Sequence, residues 1–137
     1  MRSFLHKISW PHYALTFLLI TVLYFEGDSY PLSRTHGPSF GGQIMMFATT
    51  FLMALHLGLK NTHWKRLFPL SVALFAYLVP ASIAFLIHYQ PWLVYYFMYY
   101  LVWGFLFYFL IHLFFGALGL GFGSFIRKKR AHKEANQ

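Results

Sequence analysis

WLVYYFMYYLVWGFLFYFLIHLFFGALGLGFGSFI fills residues 92–126, and Arg127-Lys128-Lys129-Arg130 follows it. No formal charge interrupts the run. A bilayer core of about 30 Å is crossed by about 20 apolar helical residues, so this stretch exceeds one crossing. Two continuations satisfy the surplus. Either the helix tilts and projects into the cytoplasm, or it breaks in the glycine-rich stretch 116–123 and continues along the interface.

Working back from residue 92, His88-Tyr89-Gln90-Pro91 reads as a tight turn. Before it lies an apolar run from about Leu67 to His88, antiparallel to the last span because the connection is short. Pro69 suits the first turn of that helix, and Pro80 lies mid-span and predicts a kink near Ala76. A further apolar run covers about Gly42 to Leu59, ended by Lys60. Another covers about Pro11 to Phe25, with Pro11 in a first-turn position. Fifteen residues is short for the hydrocarbon core, so that span stands nearly upright or thins the bilayer. No small-x-small cleavage pattern follows Phe25, and the segment reads as a retained span.

The expected fold class is therefore an all-α integral membrane protein with four transmembrane helices, at about 11–25, 42–59, 67–88 and 92–115. Spans three and four form an antiparallel hairpin, and the whole chain is one domain with a basic tail over 127–137. Charge supplies the orientation. Arg2, Lys7, Lys60, Lys65, Arg66, Arg127, Lys128, Lys129, Arg130 and Lys133 share one side of the drawn membrane, and Arg34 alone lies on the other. Basic residues are retained on the cytoplasmic side during insertion, which places both termini there, in a membrane of the bacterial cytoplasmic type.

Composition narrows the function classes. A hydrophobic fraction of 58% with 10% charged residues leaves a soluble domain of 137 residues too little polar surface. The net charge of +8 is confined to short loops and tails. Topology and attraction to anionic lipid explain it better than nucleic acid, at about 1 kcal/mol per basic residue near the leaflet. Cysteine is absent, which removes disulfides, thiolate metal sites and thiol catalysis.

Eight histidines are the obvious candidates for chemistry. His36 and His88 are outer, while His6, His63 and His132 sit in inner tails or loops. His12, His56 and His112 lie within spans, and helix rise places all three toward the inner leaflet, on three different helices. Neutral imidazole ligates metal and moves protons, so these three form a candidate ion, proton or haem site, with His56 and His112 as a possible axial pair. The plainer alternative is that each is an amphipathic interfacial ring, like Tyr or Trp. Glu26 and Asp28 share the outer loop with His36, and Glu134 is in the tail; a solvated loop accounts for the first two. No span contains paired acids, and Ser71 and Ser82 are expected to bond to their own helix backbone. No catalytic constellation and no metal site is visible.

The last span has the most organised face. Gly104, Tyr108, His112 and Gly116 recur at four-residue spacing, followed by Gly119 and Gly123 as GxxxG. Small residues let helices approach in lipid, so Gly104, Gly116, Gly119 and Gly123 mark a packing face. The remaining surface carries Tyr95, Tyr96, Phe97, Tyr99 and Tyr100, then Trp103, Phe105, Phe107 and Phe109. An outer aromatic girdle explains the first group; the second suggests lipid or another membrane protein seated on this span. In the second span Thr49, Met53 and His56 share a face. Arg127, Lys128, Lys129 and Arg130 form a stop-transfer cluster able to bind anionic lipids or an acidic partner.

These features point first to a non-catalytic accessory or assembly subunit of a larger membrane complex. Next comes a small homo-oligomeric channel or transporter constricted by His12, His56 and His112. A haem-carrying electron-transfer subunit follows.

Overall fold

The computed structural model describes residues 10–25, 39–60, 65–87 and 94–135. Among them the chain is all-helical. Helix α1 is Trp10–Phe25, α2 is Phe40–Leu59, α3 is Phe68–Ile87 and α4 is Val94–Ala135, and a 3-10 turn, Lys65–Leu67, leads into α3. Three of them, α2, α3 and α4, are long and apolar enough to cross a membrane. Helix α1 is apolar but has 16 residues, about 24 Å at 1.5 Å per residue.

Local chemistry explains the helix ends. Pro11 and Pro69 occupy the second residue of α1 and α3, where a missing N–H leaves no bond unmade. Ser39 caps α2, its Oγ accepting from the Gly42 N–H at 3.0 Å. At the other end Lys60 turns extended, and its N–H donates to the His56 carbonyl at 3.0 Å. Hydroxyls inside the helices bond back one turn: Thr21 to Phe17, Thr49 to Met45 and Ser71 to Leu67. Such back-bonding satisfies a hydroxyl where no water is at hand. Helix α3 runs unbroken through Pro80. Pro80 and Ala76, whose carbonyl the proline leaves free, are both fully buried in the bundle.

Helix α4 lies along α2 and α3, and α1 closes the bundle against the same two, while α2 and α3 meet little. Contacts fix the directions. Pro69 faces Gly116 and Tyr77 faces Gly104, so α3 and α4 are antiparallel. Thr50 meets His112, and Gly58 meets Gly123, so α2 and α4 run together. Tyr13 packs on Phe68, and Tyr24 on Tyr77, so α1 runs with α3. The bundle is thus up-down-up-down, and Lys60, Lys65, Arg66, Arg127 and Lys128 gather at one end.

The stretch 116–123 does not break α4. One helix of 42 residues extends about 63 Å, twice a bilayer core, and projects past the basic end. Arg127–Arg130, the start of the basic tail read from the sequence, therefore stands on helix. The glycines explain the continuity. A Cβ on Gly119 would strike the Phe51 carbonyl and Ala54 of α2, and one on Gly123 would lie 2.9 Å from the Gly58 Cα. One on Gly116 would come within 3.0 Å of Pro69 on α3. Glycine costs a helix about 1 kcal/mol against alanine, and here the loss is offset by backbone-to-backbone packing on two neighbours.

Candidate functional site

The stripe on α4 points into the groove between α2 and α3, which brings His112 to the centre of the bundle. Its ring is fully buried. Nδ1 lies 2.8 Å from Thr50 Oγ1 on α2, and Thr50 Oγ1 also donates to the Met46 carbonyl at 3.1 Å. A hydroxyl has one proton. If Met46 receives it, Nδ1–H of His112 donates to the Thr50 oxygen, and Nε2 carries the lone pair. Nε2 is buried and has no hydrogen-bond partner among the described residues. An unmet buried acceptor costs about 1–3 kcal/mol, and such groups cluster where function needs them.

Aromatic rings enclose this histidine. Phe47 meets it edge-on with centroids 5.0 Å apart, and Tyr108 lies one turn along α4 at 6.2 Å. Tyr108 stacks on Tyr77 of α3 at 4.9 Å, and Tyr77 meets Tyr24 of α1 at 6.1 Å. A column of rings thus ties all four helices together. Tyr24 and Tyr77 carried no signal in the sequence reading, although a tyrosine in the middle of an apolar helix, as Tyr77 is, needs protein around its hydroxyl. Thr50 was visible only as a polar residue beside Thr49.

His12 and His56 form a second, separate feature. Their rings stack with centroids 5.1 Å apart. His56 is exposed and His12 half-buried. His12 Nδ1 has no hydrogen-bond partner among the described residues, and the His12 carbonyl accepts from the buried Thr16 hydroxyl at 2.6 Å. The three span histidines therefore do not converge. Thr50, which marks the level of His112, is six residues from His56 along α2, about 9 Å. An axial haem pair needs two imidazoles opposed at one level, whereas His56 faces His12. Among the described residues no three of His, Cys, Asp and Glu are grouped to hold a metal ion.

Gly104, Gly116, Gly119 and Gly123 lie against α2 or α3 as described above. Thr49 and Met53 are half-buried beside the exposed His56. Arg127 and Lys128 lie beside the start of α3, and Lys128, Lys129 and Arg130 are all exposed. Glu26, Asp28, His36, Arg2, Lys7, Arg34 and the turn 88–91 lie outside the described residues, as do the side chains of Tyr95 to Tyr100. No family model, curated protein or solved structure matches this chain, so its geometry alone carries the functional reading.

Proposed function

We propose that this chain is a four-span membrane protein with both ends cytoplasmic, acting as a non-catalytic accessory or assembly subunit that docks through the outward face of α4. The observation behind this reading is how α4 divides its surface. One face is consumed by packing on α2 and α3. The other presents Trp103, Phe107, Leu110 and Phe114, each more than half exposed. These residues recur at three- and four-residue spacing, hence along one side of the helix. Large rings are what protein interfaces select for, and they continue here beyond the depth an interfacial girdle requires.

The test is to tag the C-terminus, solubilise native membranes gently, and measure what co-purifies in fixed ratio. The reading predicts one defined membrane protein, lost from the Phe107→Ala/Phe114→Ala variant. Recovery of the chain alone as a stable monomer would overturn it.

A second reading, a homo-oligomeric channel, draws on the buried Nε2 of His112, which has no hydrogen-bond partner among the described residues. It predicts proton flux into liposomes that changes between about pH 5 and 8, the histidine window. Flux unaffected by His56→Ala and by His112→Ala would remove it.

A further inference from the structure

A cavity of about 500 Å³ opens at the basic end of the bundle, between the start of α3 and the flank of α4. Its cationic wall is Lys65 and Arg66 from the 3-10 turn, with Arg127 and Lys128 from α4. Burial first, and then the like charges of Arg127 and Arg66, weigh against the Lys65 charge. The Arg127 Nη1 is buried and has no hydrogen-bond partner among the described residues. Glu134 is the one carboxylate among the described residues, seven positions past Arg127 on α4 and exposed. Four cations thus converge on one cavity, and its lining among the described residues includes no acid. The first turn of α3, with Pro69 and Leu70, also borders the cavity, and a helix N-terminus adds positive partial charge.

The remaining wall is apolar and has a direction. Leu113, Ala117, Leu120 and Gly121 line it from α4, and Ser124 separates them from the cations. From Leu113 to Lys128 the lining residues follow one face of the helix over about 22 Å. Cations stand at the end of the bundle and hydrocarbon toward its middle. A phospholipid has this same polarity, an anionic phosphate followed by acyl chains. The volume lies within the range of about 300–1,000 Å³ typical of ligand sites, suited to a headgroup with its glycerol and first methylenes. Gly121 borders open space, since a Cβ there meets nothing within 4 Å. Its role is unlike that of Gly119 and Gly123, which are needed for packing.

We propose that this cavity is a specific site for one anionic phospholipid, its phosphate held by Lys65, Arg66, Arg127 and Lys128 and its acyl chain laid along Leu113–Gly121. It assumes a membrane-embedded chain with this end at the anionic leaflet, and is independent of any partner on α4. Basic pockets between spans on that side bind anionic headgroups by the same electrostatics.

The experiment uses the full chain, delipidated in mild detergent, with phosphatidylglycerol, phosphatidylcholine and inorganic phosphate as probes. Thermal stability and lipid retained per chain are read together. Phosphatidylglycerol is expected to bind near one per chain and raise the melting temperature, while phosphatidylcholine and phosphate do neither. Lys65→Gln/Arg127→Gln should weaken phosphatidylglycerol binding at least tenfold. Lys129→Gln/Arg130→Gln, with the same charge removed from outside the cavity, should change it less than threefold. Gly121→Leu fills the apolar part without touching a cation and should also weaken binding. Folding of each variant is checked by helical content. Equal loss in both charge pairs, full binding by Gly121→Leu, or the whole effect from phosphate alone would each overturn the proposal.

Discussion

Thr50 and His112 meet in the middle of the bundle, and their hydrogen bond joins α2 to α4 between two fully buried residues. Interhelical hydrogen bonds in lipid contribute about 0.6 kcal/mol on average and up to about 1.7, because the separated helices also find partners. Thr50→Val should therefore cost about 1 kcal/mol, and the double variant Thr50→Val/His112→Leu less than the two single losses together. A double-mutant cycle on unfolding in detergent measures the coupling. Glycine offers a sharper contrast. Gly123→Ala forces a methyl against the Leu55 carbonyl and the Gly58 backbone and should destabilise by about 1–3 kcal/mol, the range for overpacking. Gly121→Ala, two residues away in open space, should stabilise by up to about 1 kcal/mol through helix propensity. Unfolding midpoints of the two variants, moving in opposite directions, would check both. The sequence made the packing role of Gly119 and Gly123 legible through their four-residue spacing. It did not distinguish Gly121, because only the neighbouring helix decides which side of α4 is crowded.

At the scale of elements, α4 organises the molecule. Its length follows from the uncharged run 92–126, and its packed stripe from the recurrence of Gly104, Tyr108, His112 and Gly116. Whether the glycines would break the helix was not legible. That depends on whether a neighbour compensates their low propensity, which is a tertiary effect. The pairing of histidines was hidden for a similar reason. Helix rise estimates depth, but azimuth decides contact, and azimuth turned His56 toward His12. The chain contains no cysteine, so cysteine scanning of α4 needs no background removal. Single cysteines at Trp103, Phe107, Leu110 and Phe114 should react with a membrane-permeant maleimide in purified detergent-solubilised protein. Those at Tyr108, His112 and Gly116 should be protected at least tenfold. Uniform reactivity around the helix would contradict this packing.

For the molecule as a whole, the up-down-up-down order collects the described cations at one end, the arrangement expected if that end is retained in the cytoplasm. A cysteine at Lys133 should then label only after the membrane is opened, and one at Ser33 in intact cells. The reverse pattern would invert the orientation. Beyond orientation, the outward face of α4 is where the proposed function is decided. The most direct measurement places a photo-crosslinking residue at Phe107 or Phe114 in native membranes, with Leu52 on the exposed side of α2 as the reference. The account predicts one discrete crosslinked protein from both α4 positions and none from Leu52. Adducts to lipid alone at all three positions would contradict it, and leave α4 as a bundle helix whose outer rings face only the bilayer.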